Sequence, residues 1–323
     1  MSPVTEVTRA DALAAADAVL AAEAARRYYL GNESKVDIAA AMRVSRFKVA
    51  RLLEAARNEG IVRIEIVDRS GVDSSLSAEL REAYGIERCV VVDCPDDPHL
   101  RRTQVGRAGA DMLLGMLGPG DTLGLPWART VSAMVDALPA LPPVSVVQLS
   151  GALVIPGEHS PVDMVRAAAV LTGGETHIYY APLILDDAES ATTMRRQPAV
   201  SRALAEAAKV SVAVVSIGAW ATGHSTIHDA LPAKDRAEVK AAGAVGEALG
   251  VFVDAEGTPV RTDVGDRLVT IGTEGLRRVP QTLALATGKQ KATAVRAFLV
   301  GGWVEALVVD RALGAELLRR ARA

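Results

Sequence analysis

Over residues 35–66 the chain reads KVDIAAAMRVSRFKVARLLEAARNEGIVRIEI, and its apolar positions form two short helical stripes broken by a turn. Ile38, Ala39 and Met42 give the first segment an apolar face. Val49, Leu52 and Leu53 give the second an i, i+3, i+4 stripe. Val44 marks the turn, and Ser45 stands where a helix N-cap belongs. Gly60 stops the second helix, and the alternation after it predicts a short strand or the start of a linker over 61–66. Upstream, the Ala-rich segment 11–30 is strongly helix-prone and ends at Gly31 and Asn32. Tyr28 and Tyr29 are adjacent, so one is expected to pack and the other to face outward. Residues 1–8 read as a loose tail.

A polar stretch over 67–75, with Gly71 inside it, suits a domain boundary. A helical pattern over 76–84 then ends at Gly85. From there strand-like and helical segments alternate. Strands are predicted at 88–93, 121–125, 144–149, 177–180, 210–217 and 305–310, and helices at 104–117, 129–138, 162–171 and 198–208. Residues 241–260 hold a helix followed by a strand and a turn, and 281–299 a strand–loop–helix unit. A final helix carries Leu313, Leu317 and Leu318. This alternation predicts an α/β fold with a mostly parallel sheet and helices on both faces. The expected organisation is a helix-turn-helix domain over 1–66, a linker over 67–75 and an α/β domain over 76–323.

Charge sharpens the reading of the first domain. The whole chain carries net −3, yet residues 26–57 hold eight cations against three anions, a local net of +5. Attraction to phosphate needs such a patch, not a basic protein overall. A short capped helix bearing Arg46, Lys48 and Arg51 can enter a major groove behind Ser45, while Arg26, Arg27 and Lys35 meet phosphates nearby. Double-stranded DNA is the partner this predicts. The alternative is a helical hairpin with a solvated basic face. The remaining composition is that of a packed globular protein, with 50% hydrophobic residues over 323 positions. Two cysteines, Cys89 and Cys94, lack the spacing of a redox pair or a zinc site. No apolar run is long enough to span a membrane, and acids are mixed into the first 30 residues, so a cytoplasmic protein is expected.

In the second domain the informative residues stand at strand ends, where ligands of open α/β sheets bind. DTLGLPWARTVSAM runs from strand through a Gly-Leu-Pro-Trp turn into a helix. Thr130 and the neighbouring N–H groups offer donors to an anion, Arg129 a bidentate contact, and Trp127 a cover for an apolar sugar face. An ordinary strand–helix junction around a buried Trp is the alternative. Asp254 ends a strand, where it can accept hydrogen bonds from sugar hydroxyls or simply form the turn. Gly288 and Lys291 suit the anionic end of a ligand, with Lys289 less well placed; solvation of both lysines is the alternative. His224 and His228 lie four apart without an H-E-x-x-H pattern, so no metal is expected; His224 can hydrogen-bond a ligand. No P-loop, no G-x-G-x-x-G and no convincing Ser/His/Asp or Cys/His set is present, so no cofactor and no catalytic residue is assigned.

Taken together, IAAAMRVSRFKVARLLEAARNEGIVRIEI, LGLPWART, SIGAW, GAVGE and ATGKQKATAVRAFLVGG resemble the SorC family of bacterial sugar-responsive transcriptional regulators. The resemblance covers nearly all of the chain after residue 18. Ser45, Arg46, Val49, Arg51, Leu52 and Leu53 match the family's recognition-helix pattern. It implies a helix-turn-helix joined to a large Rossmann-like effector domain related to sugar-phosphate isomerase folds. It also implies a homodimer or homotetramer on operator DNA and a sugar, polyol or sugar-phosphate effector. Arg129, Thr130 and Lys291 become candidates for the phosphate end, and Trp127 and Asp254 for the sugar end. Three departures stand out: Ala128 where a glycine often precedes Arg-Thr, Thr287-Gly288 where a double glycine is common, and Ser34-Lys35 where Thr-Gln is usual. The first two leave room for an unphosphorylated sugar or polyol. An effector-controlled transcriptional regulator is the leading expectation. A sugar-phosphate isomerase-like enzyme with a DNA-binding appendage comes second, and an effector-independent architectural DNA-binding protein third.

Overall fold

The computed structural model describes residues 9–62, 71–153 and 160–322, with side chains from Asp17 onward. The tail over 1–8, residues 63–66 of the expected strand and residues 67–70 of the expected linker lie outside these residues. The chain divides into two compact units, Met1–Val67 and Asp68–Ala323.

The first unit is helical. α1 (Arg9–Ala25) runs into a π-helical turn (Arg26–Leu30), followed by α2 (Lys35–Met42) and α3 (Arg46–Asn58). Ala21, Ala24 and Ala25 of α1 pack with Ile38 of α2 and Val49, Leu52, Leu53 and Ala56 of α3. Both N-caps are serines. Ser34 Oγ accepts the Asp37 N–H at 3.2 Å and Ser45 Oγ accepts the Lys48 N–H at 3.1 Å. The reversal between α2 and α3 is made at Arg43, whose φ of 55° is left-handed. Tyr28 and Tyr29 depart from the expectation that only one packs. The widened turn lets both rings lean on the core, 5.0 Å apart and edge to face.

The second unit begins earlier than expected. Val72 bridges Val92, and α4 (Ser74–Tyr84) starts on its Asp73 cap, so 71–75 belong to the folded unit. There follow β1 (Arg88–Val92), α5 (Pro98–Leu114), β2 (Thr122–Leu125), α6 (Arg129–Val135), β3 (Ser145–Gln148), α7 (Pro161–Thr172) and β4 (Thr176–His177). Next come α8 (Ala188–Arg196), α9 (Pro198–Ala207), β5 (Val212–Ser216), β6 (Gly218–Ala219), α10 (Thr226–Ala230), α11 (Ala233–Ala241), β7 (Gly246–Ala248) and β8 (Val251–Val253). The chain closes with α12 (Asp263–Asp266), α13 (Gly272–Arg277), β9 (Gln281–Ala286), α14 (Ala292–Val300), β10 (Ala306–Asp310) and α15 (Arg311–Ala321). α5 starts six residues before the predicted helix because Asp97 caps it and Pro98 opens it.

Seven strands form one all-parallel sheet in the order β1-β10-β9-β5-β2-β3-β4. Side chains alternate between its two faces. Val91, Ala284, Ala286, Leu307 and Val309 join the core beneath α4, α14 and α15, while Val92, Leu283, Leu285 and Val308 join the one beneath α5, α6 and α7. From β2 the chain moves outward to β3 and β4, then returns on the other side as β5 and proceeds to β9 and β10. The order therefore reverses between β2 and β5, which opens a crevice at their carboxyl ends. A small antiparallel sheet, β6-β7-β8, follows directly from β5; β8 is the strand expected within 241–260, whereas β7 stands where a helix was expected.

Candidate functional site

In the first unit α3 buries one stripe and exposes Ser45, Arg46, Phe47 and Arg51. Arg26 and Lys35 are exposed as well, with the Lys35 ammonium 5.7 Å from the centre of the Tyr28 ring. Two of the expected DNA contacts are already engaged within the unit. Arg27 hydrogen-bonds Glu23 at 2.8 Å and pairs with Glu33 at 3.4 Å, which holds its pKa above the ordinary arginine value. Lys48 pairs with Asp17 at 3.0 Å. Arg46 and Arg51 project from the helix itself, and the side chain of Arg46 stacks over Phe47 at 5.0 Å.

In the second unit the strand ends converge on a cleft of about 350 Å³ at the reversal point. The ends of β2 (Trp127, Arg129, Thr130), β5 (Ser216, Gly218) and β9 (Thr287, Gly288, Lys291) line it together. Five of the six residues expected to hold an effector are thus gathered in one place. Trp127 and Thr130 are buried, and Arg129 and Lys291 are half-buried. Gly288 has φ 93°, a conformation that only glycine adopts cheaply, and its N–H donates to the buried carboxylate of Asp310. Asp310 also caps α15 by accepting the Leu313 N–H at 3.2 Å. One aspartate thereby ties the β9 turn to the end of β10.

The electrostatics of the cleft are dominated by cations. Burial pulls the Lys291 ammonium down to about 8, against the upward pull of Glu247, and Arg102 and Arg129 push it down further. Arg101 and Arg102 reach the cleft from α5, a contribution hidden from the sequence by the late predicted start of that helix. Arg101 is paired to Asp96 at 2.5 Å. Across the cleft Glu247 is buried, and burial raises its carboxyl above the ordinary range. Ser225 Oγ donates to Glu247 Oε1 at 2.8 Å, and the Gly250 N–H donates to Oε2 at 3.4 Å. A Cβ at Gly218 would stand 2.7 Å from Glu247 Oε1 and 2.9 Å from Ser225 Cβ, so the glycine of SIGAW is what lets this pair approach β5. Leu153, Leu183 and Ile227 supply the apolar wall. The sequence placed Ser225 at a strand end and Glu247 within GAVGE without assigning either a role; Gly223 before Ser225 and Gly246 and Gly250 around Glu247 were the available sign.

Asp254 is a correction. It does not line the cleft: its Oδ1 accepts the N–H groups of Glu256 at 3.0 Å and Thr258 at 2.8 Å, closing the turn after β8. The antiparallel pairing of β8 with β7 carries this strand end away from the parallel sheet's crevice. Asp254→Ala is accordingly expected to cost about 1 kcal/mol of stability in a urea melt and to leave effector affinity unchanged in calorimetry. His224 lines the cleft, whereas His228 packs edge-on against Trp220 at 5.1 Å with its Nδ1 3.1 Å from Asp229. Lys289 is exposed. Burial pushes the Cys89 thiol up to about 12 and the Cys94 thiol up to about 11, so neither is a ready nucleophile. No helix among the described residues is long and apolar enough to cross a membrane.

Comparison with known proteins bears on both sites. The family model Sugar-bind, described as "Putative sugar-binding domain", matches residues 69–319. The transcriptional regulator LsrR of Klebsiella pneumoniae is 30% identical over 315 residues, covering 95% of each chain. The deoxyribonucleoside regulator of Bacillus subtilis is 26% identical over 308 residues, covering 90% of this chain and 95% of its own. The full-length sorbitol operon regulator SorC of Klebsiella pneumoniae superposes with a TM-score of 0.71 at 23% identity, over 94% of this chain and 99% of that one, and so shares its fold. With a sugar-binding domain matched over most of its length and a regulator aligned over 95% of each chain, the chain belongs to the SorC-like family of sugar-binding transcriptional regulators.

Proposed function

We propose that this protein is a cytoplasmic, DNA-associated transcriptional regulator whose α2–α3 pair binds operator DNA and whose cleft binds a phosphorylated sugar that changes that affinity. The observation that carries the effector half is the meeting of Arg129, Thr130 and Lys291 from two strand ends in a single sugar-sized cleft. α6 has only seven residues, so the positive potential comes from the side chains rather than a long helix dipole. Ala128 makes no side-chain cap to α6. The cations favour a phosphate over the neutral polyol that Ala128 and Thr287 leave room for. Trp127, Leu183 and Ile227 then face the carbon skeleton, and Ser225 and Glu247 its hydroxyls. A homodimer or homotetramer follows from recognition of paired half-sites about one helical turn, or a multiple, apart.

Control requires that the ligand bind the DNA-competent and incompetent states with different affinities; a tenfold change in operator affinity needs about 1.4 kcal/mol of difference. The test is a thermal-shift screen of sugars, polyols and their phosphates, followed by titration of operator DNA with and without each hit. A phosphorylated hit that shifts operator affinity is expected. A ligand that stabilises the protein but leaves operator affinity unchanged overturns the regulatory reading. One observation favours the isomerase-like alternative: Lys291 and Glu247 are two perturbed titratable groups facing one cleft. Conversion of the hit sugar phosphate to an isomer by the purified protein would establish that reading instead.

A further inference from the structure

α3 has an outward face that its cations do not account for. Phe47, Ala50, Arg51 and Glu54 stand at i, i+3, i+4 and i+7 and share one side of the helix, away from the buried stripe of Val49, Leu52, Leu53 and Ala56. Phe47 is 69% exposed, whereas the other two phenylalanines of the chain, Phe252 and Phe298, are at most 2% exposed in the second unit. A single exposed apolar side chain is ordinary on a protein surface, so exposure alone assigns nothing. Its surroundings do. The ring sits in the first turn of a helix capped by Ser45, with the Arg46 guanidinium 5.0 Å from its centroid and Arg51 one turn further along.

An apolar protein surface covering this ring would have to desolvate those cations without pairing them. Duplex DNA satisfies both demands. Its phosphates meet the arginines, and its major groove presents one apolar group, the C5 methyl of thymine. We propose that Phe47 is a base-reading residue whose ring packs on the methyl group of a thymine at a fixed position in each operator half-site. The inference rests on the DNA-binding reading above and specifies what that surface recognises: a thymine beside the bases or phosphates taken by Arg46 and Arg51.

The test uses the full chain and a duplex it selects from a random library. Each thymine of the selected half-site is replaced in turn by deoxyuridine, which removes the methyl and keeps the pairing. One replacement per half-site is expected to weaken binding about three- to tenfold, the scale of one buried methyl or methylene pair. Phe47→Ala should bind the thymine and deoxyuridine duplexes equally, and Phe47→Leu should retain part of the preference. A flat deoxyuridine scan for the unaltered protein, or an undiminished methyl preference in Phe47→Ala, overturns the assignment while DNA binding stands. A chain that selects no duplex at all overturns the DNA-binding reading and this inference together. Since Phe47 is outside the core, helical content measured by circular dichroism is expected to survive both substitutions.

Discussion

Lys291→Met is expected to make the unliganded protein more heat-stable and to blind it to a phosphorylated effector. The lysine's pKa stands at about 8 in the folded chain, first because the ammonium is buried and then because Arg102 and Arg129 face it. An unfolded lysine titrates near 10.4. Between these values the unfolded chain holds a proton that the folded chain does not, so stability rises with pH through that window. Below about 8 the folded protein bears the full cost of the charge, on the order of 3 kcal/mol before relaxation is considered. Methionine fills the same space without it. Glu247 loses the opposing charge of Lys291 in the variant, but burial already favours its protonated form, and Ser225 and Gly250 still hydrogen-bond it. A net rise of roughly 5 °C in melting temperature at neutral pH is the expected result.

The same substitution removes a charge-assisted contact to the effector. Such contacts contribute about 1.5–3 kcal/mol, so affinity for the phosphorylated ligand is expected to fall by roughly ten- to 150-fold. Its dephosphorylated analogue is expected to lose little. For the unaltered protein, phosphate affinity falls as pH rises through about 8 because the ammonium deprotonates; in Lys291→Met that dependence disappears. Calorimetry across pH 7–9 reads both effects. Equal losses for the phosphorylated and dephosphorylated ligands would remove Lys291 from the anion end of the cleft.

Gly246→Ala is expected to damage both stability and effector binding. Gly246 pairs with Ala219 across β6 and with Val253 across β8. A Cβ there would lie 2.4 Å from Ala294 Cβ and 2.8 Å from the Gly218 carbonyl oxygen. These are not flexible side-chain ends, so α14 or β6 must move. Lys291 immediately precedes α14, Gly218 opens β6, and Glu247 is the next residue along β7. Overpacking of this kind costs about 1–3 kcal/mol, which a urea melt detects, and misplacement of Lys291 against Glu247 should weaken the effector at least about tenfold. Ala294→Gly in the same chain removes the closest clash but leaves the one with the Gly218 carbonyl oxygen, so it is expected to recover part of the binding while costing roughly 1 kcal/mol of stability as a helical glycine. Unaltered stability in Gly246→Ala would mean that the junction of the two sheets is looser than its contacts imply.

The sequence by itself determined the elements whose pattern is local. Stripes at three and four residues, the Ser45 cap and a glycine stop placed α2 and α3, because a helix's buried face and its ends are set by residues within a few positions of one another. Apolar runs bounded by turns placed the strands of the large sheet except its edge strand, expected at 177–180 and formed by Thr176–His177, and family motifs brought Trp127, Arg129, Thr130, Gly288 and Lys291 into view. Only the tertiary structure decided what long-range pairing controls. It put the ends of β2, β5 and β9 around one cleft though they are far apart in the chain. It turned Asp254 away through an antiparallel hairpin, and engaged Arg27 and Lys48 with carboxylates on their own unit. It also brought Arg102 from α5 and Glu247 from β7 into the cleft. A charge's neighbours in space, which fix its proton affinity and its availability to a ligand, are set by strand order and helix packing, and no local period encodes them.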